Sequence, residues 1–527
     1  MTAIAESSAP LGANQTPHGA GLIMPVSPPP TARASAGPSD VSRRRVLLGG
    51  GALAAFAIIG RATPALAKPR ISDAAWRDLN QKMTGDVLRL GDPAFTATAQ
   101  PNNLLYADRR PEGIARCAQA EDVSIAIKWA RENNIPLIVR GGGHNYAGYS
   151  TTRGLQIDTA GLTDVGVDDK TGIVTVGAGL RNSEIYAALR QRNVSIVHGR
   201  CSGVGIGGFL LGGGIGFNMR LHGIGSDAVT GMALVDAQGN ARNLSSAENP
   251  DLFWACRGGA GGNFGINTAF SFTAFPVGDI TAFDINWTGK AEDILAALIE
   301  ATRTAPRTFG SKISLHGAKA GQKNLRINLL GQMHGTRAEL EDILAPVRRI
   351  AEPSNEKIAT LPYWTGQKLI SEESRPEYFR ERSRFVRRPL PGKAIELACR
   401  FARAFPGTHS SASLKLFQTG GAVNDMASDA SAFVHRDSLW LMAISTSWEK
   451  PESRASVEGL HRWLNRYYEA MIRFCDGGAF QNFPDPDLAD WERLYYGTNL
   501  PRLQKIKAAV DPAGVFQYPQ SIRPAAG

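Results

Sequence analysis

The sequence predicts an α+β protein, and two patterns along the chain support this fold class. Short apolar strands alternate with helices up to about residue 278, and the later strands alternate polar with apolar side chains. At 527 residues the chain is long enough for two or three domains of about 100 to 200 residues each. We therefore predict one domain over residues 68–278, a second over 279–475, and a C-terminal segment over 476–527.

The elements of the first domain follow from the spacing of its apolar residues. A helix is predicted over 121–134, and an apolar strand over 136–139 follows it directly. Two further strands are predicted over 155–158 and 172–177, and a second helix over 183–192. This alternation is typical of α/β and α+β folds that hold a cofactor between their layers.

The second domain is predicted to contain an antiparallel sheet with one solvated face. In the strand around Ser314, the side chains of Lys312, Ser314 and His316 share a face, and Arg326 and Asn328 share a face in the next strand. Such alternation is typical of antiparallel sheets that are packed on one side only. Further elements are predicted as helices over 291–303, 337–350 and 455–473 and a strand over 439–448.

The first 67 residues are predicted to be a disordered leader followed by a twin-arginine signal peptide. Residues 1–40 are rich in Pro, Ala, Ser and Gly, and Arg43–Arg45 precede an apolar stretch and a small-residue site ending at Ala67. The apolar run over 46–59 is shorter than the roughly 20 residues that span a bilayer. We expect export through the twin-arginine translocase, cleavage near Ala67, a periplasmic or secreted location, and no stable membrane anchor.

Composition excludes several other classes of protein. The apolar fraction of 43% and charged fraction of 20% are those of an ordinary globular protein. The net charge of +10 lies partly in the leader, and the remainder includes no dense basic run, so nucleic-acid binding is not predicted. The five cysteines are too scattered for a disulfide framework or for a metal site. Neither a P-loop nor a Rossmann fingerprint is present. An odd cysteine count in an exported protein leaves one cysteine with another task.

Two glycine-rich loops each carry a reactive side chain. The first, Arg140-Gly-Gly-Gly-His144-Asn-Tyr-Ala-Gly148, follows the apolar strand that precedes it, and the second, Gly199-Arg-Cys201-Ser-Gly-Val-Gly-Ile-Gly-Gly208, continues into more glycines up to residue 216. Bare backbone of this kind can approach a phosphate closely. Imidazole and thiolate are both nucleophiles that can add to an electrophilic cofactor.

These loops resemble those of the berberine-bridge-enzyme-like branch of the FAD-linked oxidases, which share the vanillyl-alcohol-oxidase fold. Four motifs carry the resemblance, at residues 140–150, 199–216, 261–266, and 496–499 with 511–522. The resemblance implies that 68–278 is a two-part PCMH-type FAD-binding domain, and that 279–475 is a substrate-binding domain. It also implies that 476–527 returns to the FAD domain.

The resemblance implies a flavin held by two covalent bonds, from His144 to the 8α-methyl carbon and from Cys201 to ring carbon 6. The alternatives are an ordinary loop histidine that bonds a carbonyl and a small buried cysteine. The other residues expected to hold FAD are Arg140, Gly141, Gly142, Gly143, Asn145, Gly148, Gly199, Val204, Gly207, Gly208, Gly213, Asp227, Asn263, Gly265, Ile266 and Asn482.

The resemblance also implies which residues contact the substrate and control the access of oxygen. Tyr146 matches a tyrosine that faces the substrate in relatives, although it can equally be a packing aromatic. Val204 matches the position that gates oxygen, and its small side chain favours an oxidase that releases H₂O₂.

The catalytic base is not where the resemblance places it. Phe483 stands where relatives carry Tyr or His, and the strand over 439–448 holds no carboxylate, so both usual base positions are apolar. The remaining candidates are Tyr146, His316 or Arg326, Gln418, or a substrate that needs no enzyme base, such as an amine or a phenol.

The predicted function is an exported FAD oxidase that takes a hydride from a small amine, phenol or alcohol and reduces O₂ to H₂O₂. One alternative is an oligosaccharide oxidase or dehydrogenase of the same family. An alternative of another class is a flavin-carrying binding protein without turnover, for which an apolar base region would be no loss.

Overall fold

The structure of the protein is a computed structural model that describes residues 71–168, 170–319, 321–322, 324–449 and 452–525. These residues belong to one unit, Pro69–Gly527. The predicted leader and signal peptide at 1–67, and the predictions about export and anchoring that depend on them, lie outside the described residues. Within the described part of the chain, none of the helices is both long enough and apolar enough to cross a membrane.

The helices and strands alternate along the described chain. The α-helices are α1 (Asp73–Lys82), α2 (Phe95–Ala99), α3 (Ala120–Glu132), α4 (Asn182–Arg190), α5 (Ile206–Leu211), α6 (Met219–His222), α7 (Pro250–Ala255), α8 (Ala291–Thr304), α9 (Arg337–Arg348), α10 (Tyr363–Ile370), α11 (Gly392–Arg403), α12 (Arg454–Ile472), α13 (Trp491–Tyr496) and α14 (Leu500–Val510). The strands are β1 (Asp86–Arg89), β2 (Gly113–Arg116), β3 (Leu137–Arg140), β4 (Leu155–Asp158), β5 (Val165–Asp168), β6 (Ile173–Gly177), β7 (Val194–Ser195), β8 (Val229–Val235), β9 (Ala241–Leu244), β10 (Ile266–Thr273), β11 (Phe275–Pro276), β12 (Asp279–Thr288), β13 (Phe309–His316), β14 (Arg326–Met333), β15 (Asn355–Pro362), β16 (Tyr378–Val386), β17 (Ser410–Gln418) and β18 (Trp440–Trp448).

The N-terminal elements form two main sheets. The first has the order β1-β2-β4-β3, with β4 parallel to both β2 and β3. The second has the order β5-β6-β10-β8-β9 and is antiparallel, and β7 pairs separately with β11. The first glycine loop leaves the end of β3, and the second lies between β7 and α5, so the two loops start from different sheets.

The predicted elements of both parts are confirmed, with ends that differ by a few residues. The helix predicted over 121–134 is α3, the strand over 155–158 is β4, and the helix over 455–473 is α12. Periodicity located the two helices because each buries one face: α3, for example, buries Val123, Ala126, Ile127 and Ala130. The fold is α+β, as predicted.

The C-terminal sheet has seven antiparallel strands in the order β15-β12-β14-β13-β17-β18-β16. One of its faces packs apolar side chains such as Leu315, Leu414 and Ile444 into the core formed with α8, α9, α11 and α12. Alternate residues of the same strands point to the opposite face, where Ser314, Lys415 and Ser445 lie. The predicted polar face is therefore present, but it faces a cavity.

Candidate functional site

A cavity of about 590 Å³ lies between the two glycine loops and the polar face of the seven-stranded sheet. The loops contribute the backbone of several glycines, and strands β13, β17, β18 and β16 contribute side chains. The lining includes Gly141, Gly142, Gly143, His144, Asn145, Tyr146, Gly199, Cys201, Val204, Gly207, Gly208, Gly265, Ile266, His316 and Asn482 among the predicted site residues.

The two glycine loops touch each other through their backbones. A Cβ atom on Gly142 would lie 2.4 Å from the nitrogen of Gly205, and a Cβ on Gly205 would lie 2.4 Å from the nitrogen of Gly142. Only glycine permits such an approach, which explains why both loops need it at these positions. The contact brings His144 and Cys201, which are far apart in sequence, to one cavity. At Gly208 a Cβ would meet nothing within 4 Å, so the bare backbone there leaves room for a large cofactor.

His144 is held as a neutral imidazole. Its Nε2 atom lies 3.3 Å from the Ser374 hydroxyl oxygen, which also accepts a hydrogen bond of 3.0 Å from the backbone N–H of Gly203. Burial lowers the pKa of His144 to about 4, so the ring keeps a free nitrogen lone pair at neutral pH. Ser374 thus connects the two loops.

Cys201 lies beside a carboxylate and a guanidinium. Its thiol donates to Glu372 Oε2 at 3.6 Å, and Glu372 forms an ion pair with Arg200. Burial raises the pKa of the Cys201 thiol, although Arg200 acts in the opposite direction. Despite its own burial, the pKa of Glu372 is lowered by the positive charges of Arg200 and Lys312. Glu372 is therefore held as a carboxylate that accepts the hydrogen bond of the thiol.

Aromatic rings form one wall of the cavity. Tyr146 stacks on Phe483 with ring centres 4.8 Å apart and an interplanar angle of 8°, and its edge meets Phe379 at 4.9 Å. Burial raises the pKa of Tyr146 well above its ordinary value, so the phenol stays neutral near pH 7. Phe417 packs beside Phe483 at 5.8 Å. This wall suits a flat ring.

A charged pair lies on the sheet face beside the two apolar base positions, on two strands that were not predicted from the sequence. Lys415 Nζ of β17 donates to Glu381 Oε2 of β16 at 2.7 Å across β18. Ala443 of β18 pairs with Lys415 in the sheet, and its small side chain leaves the space that the pair crosses. Glu381 Oε1 is buried without a hydrogen-bond partner among the described residues. Burial tends to lower the pKa of Lys415, but the carboxylate of Glu381 outweighs it and raises that pKa.

The other predicted base candidates differ in their position. His316 lines the cavity, but burial and the nearby charge of Arg326 lower its pKa to about 3. Arg326 is exposed, and it is not among the described residues that line the cavity. Gln418 lies on the helix-facing side of β17, where it donates to the Thr302 carbonyl and accepts from Ser311 at 3.1 Å.

Five residues predicted to bind the cofactor lie outside the described cavity lining, and each has a structural role instead. Arg140 donates to the carbonyls of Ala99, at 3.0 Å, and Gln100. Asp227 forms a buried ion pair of 2.7 Å with Arg436. The other three are packing positions: a Cβ on Gly148 would meet Tyr106 at 2.3 Å, one on Gly213 would meet Phe433 at 2.8 Å, and the side chain of Asn263 bonds to Tyr518 and Ile522 at 2.8 Å.

The C-terminal segment is bound to the glycine-containing loop around Asn263. Lys507 Nζ donates to the Asn263 carbonyl at 2.6 Å and to Asp511 Oδ2 at 2.6 Å, and both charged side chains are buried. Asp511 accepts in turn from the backbone N–H groups of Val515, at 2.7 Å, and Phe516, at 2.9 Å. The hydroxyl of Tyr518, which lines the cavity, accepts from Asn263.

Comparison with known proteins agrees with this site. The family described as FAD binding domain matches residues 111–245, and the family described as berberine and berberine like matches residues 479–523. The uncharacterized FAD-linked oxidoreductase YgaK of Bacillus subtilis (strain 168) is 32% identical over 454 residues, which cover 84% of this chain and 98% of that protein.

Two solved structures share the fold. The carbohydrate oxidase from Microdochium nivale in complex with a substrate analogue is 26% identical with a TM-score of 0.75, covering 86% of this chain and 100% of the other. The glucooligosaccharide oxidase from Acremonium strictum, described with a 6-S-cysteinyl, 8α-N1-histidyl FAD, is 25% identical with a TM-score of 0.75, covering 84% and 98%.

The fold, the glycine-lined cavity and these matches together define an enzyme of the FAD-dependent oxidoreductase class. More particularly, the chain belongs to the berberine-bridge-enzyme-like family of FAD-linked oxidases.

Proposed function

We propose that the protein is an oxidase whose FAD is bonded to His144 and Cys201, and that it oxidises a small amine, phenol or alcohol and reduces O₂ to H₂O₂. The observation that carries the proposal is the contact of the two loops at Gly142 and Gly205, which gives both nucleophiles one cavity. When bound, FAD supplies the acceptor for a hydride and returns the electrons to oxygen.

The side chains around the two nucleophiles support this attachment. The neutral ring of His144 offers a lone pair, and Ser374 fixes its orientation through Nε2. The Cys201 thiol is oriented by its hydrogen bond to the Glu372 carboxylate, and the nearby Arg200 guanidinium acts to lower the pKa of the thiol and so favours its nucleophilic thiolate form.

We assign proton transfer from the substrate to Glu381. Its Oε1 atom has no hydrogen-bond partner among the described residues, and a buried oxygen in that state is satisfied when a substrate hydroxyl or amine donates to it. Lys415 donates a hydrogen bond to the other oxygen, which orients the carboxylate. Tyr146 and Phe483 form the wall against which a flat substrate ring would pack. This assignment replaces the hypothesis of a substrate that needs no enzyme base.

Oligosaccharide oxidation is the second candidate, and a row of hydroxyl groups favours it. Ser413 and Ser445 lie 3.2 Å apart on the cavity face, and Ser411 and Ser447 lie 2.8 Å apart beside them. Such hydroxyls can hydrogen-bond the hydroxyls of a sugar. The flavin-carrying binding protein without turnover is less well supported, because it has no use for the buried pair of Glu381 and Lys415.

We also propose domain boundaries at 68–278, 279–475 and 476–527. We propose further that the folded, flavin-loaded protein is exported through the twin-arginine translocase to the periplasm or the medium. The support for export is the arginine motif at Arg43–Arg45 and the small-residue site that ends at Ala67.

The covalent attachment can be tested on the denatured protein. The wild-type protein should stay yellow after acid precipitation, and its tryptic digest should contain one flavin that joins the peptides of His144 and Cys201. Cys201→Ala should leave a single bond, whereas Cys475→Ala, a cysteine outside the described cavity lining, should leave both. Flavin released into the acid supernatant of the wild-type protein would contradict the proposal.

The reaction with oxygen can be tested at Val204, which lines the cavity. Substrate-reduced enzyme should reoxidise in air and form peroxide in proportion, and Val204→Ile should slow reoxidation because its added methyl group narrows the space. Stopped-flow absorbance separates this step from flavin reduction, which should keep its rate. A wild-type enzyme that stays bleached in air but reacts with quinone dyes would be a dehydrogenase.

A further inference from the structure

Among the residues that the structure describes, most charged groups of the cavity wall pair with one another, and Lys312 is the buried one that does not. Arg375 pairs with Glu373 at 2.6 Å, Lys415 pairs with Glu381 at 2.7 Å, and Arg200 pairs with Glu372. Lys312 lines the same cavity and has no ion-pair or hydrogen-bond partner among the described residues. Glu377, the remaining carboxylate of the lining, is exposed. Lys312 is therefore a buried cation of the cavity wall without an ion-pair partner in the described part of the chain.

The side chain of Lys312 is buried, and this burial affects how its ammonium group interacts with an anion. Its residue is 8% exposed, on the cavity face of β13. Burial lowers the pKa of its ammonium group to about 7, with Arg200 adding to the effect and Glu372 opposing it. An ammonium group in such surroundings gains stability from an anion that enters the cavity, because removal from water has already weakened its hydration.

The residues around Lys312 indicate which other groups a bound anion would carry. Phe417 is its neighbour across the sheet, so an aromatic surface begins directly beside the ammonium group. Ser314 shares its strand face, and the serine hydroxyls of β17 and β18 continue the row. A ligand with a carboxylate at one end and a ring or hydroxyl-bearing body would satisfy all three features.

We propose that Lys312 binds the carboxylate of the substrate, so that the enzyme prefers organic acids to neutral molecules of the same shape. The inference rests on the proposed function, since it places the substrate between FAD and the sheet. A different role for Lys312, contact with the flavin itself, is an outcome that the test distinguishes.

The test measures binding to the purified flavin-containing protein by isothermal titration calorimetry. The probes are benzoate with its neutral counterpart benzamide, and glucuronate with glucose, so that ring and sugar bodies are tried separately. The wild-type protein should bind at least one carboxylate about 10- to 100-fold more tightly than its neutral counterpart, as expected for a hydrogen bond to a charged group. Lys312→Met should remove this preference and Lys312→Arg should keep it. Lys319→Met, an exposed lysine just beyond the end of β13, is the matched control and should change nothing.

Three outcomes would overturn the proposal. They are equal binding of the members of both pairs to the wild-type protein, no binding of either carboxylate, and a preference that survives in Lys312→Met. A Lys312→Met variant that shifts the flavin spectrum and reduction potential without ligand, while keeping the preference, would assign Lys312 to the flavin. The proposed function fails separately, through flavin lost on acid precipitation, and the calorimetric preference is measured independently of turnover.

Discussion

Replacing Glu381 with glutamine is expected to slow flavin reduction by substrate by about 10²- to 10⁴-fold, the range typical of losing a general base. Glutamine has the same shape and can still accept the hydrogen bond from Lys415, so the cavity should stay intact. It cannot take a proton at the reacting atom. Anaerobic stopped-flow measurement of flavin bleaching across pH provides the rate of this step for the wild-type protein and the variant.

A carboxylate elsewhere in the cavity provides the control for this experiment. Glu377 also lines the cavity, but it is exposed and has no ion pair among the described residues, so Glu377→Gln should reduce the rate only slightly. If Glu381→Gln kept the wild-type rate and pH profile, Glu381 would not be the base. The earlier hypothesis of an amine or phenol that needs none would then stand.

Asp511→Asn is expected to lower the free energy of unfolding by about 3–5 kcal/mol, the usual cost of leaving one partner of a buried ion pair without its counter-charge. The ammonium group of Lys507 would stay buried against the carbonyls of Asn263 and Phe516. Two backbone N–H groups would also lose a charged acceptor. Urea titration of the flavin-containing protein, with the midpoint compared at constant slope, measures the change.

An exposed aspartate that contacts the same helix is the matched comparison. Asp251 pairs with Arg502 of α14 at 2.7 Å, and 71% of its side chain is exposed. Asp251→Asn should therefore change the free energy of unfolding by no more than about 0.5 kcal/mol. Equal midpoints for the two variants would show that the Lys507–Asp511 pair does not hold the C-terminal segment in place.

Local pattern was sufficient to predict most of the fold. Helices such as α3 and α12 were located because each buries one face, and that periodicity is visible in the sequence. The pairing of strands was less accessible. The order β13-β17-β18-β16 brings together segments far apart in the chain, and no local signal specifies it.

Site residues that lie in short sequence motifs were predicted, and those that depend on distant partners were not. His144, Cys201 and their glycines lie in two short motifs, and the structure brings both to the cavity. Glu381, by contrast, lies in the run Arg380-Glu381-Arg382, which resembles an exposed charged strand until its neighbours are known. The signal present in the sequence was the alternation of Glu381 with two arginines. In the structure, Arg382 pairs with Asp485 at 2.7 Å and not with Glu381. Asp227 was also expected to hold FAD, but it pairs with Arg436, which is 209 residues away and could not be found from local pattern.

The two-sided sheet has a consequence for how this enzyme can change over evolutionary time. Along β13, β17 and β18, residues that hold the helices alternate with residues that face the cavity, so neighbouring positions are under separate constraints. A mutation at Ser411, Ser413, Ser445 or Ser447 changes the surface of the cavity while Leu414 and Ile444 keep the domain folded. New specificities can therefore arise one side chain at a time on an unchanged scaffold, and laboratory selection for a different substrate should begin at these four serines.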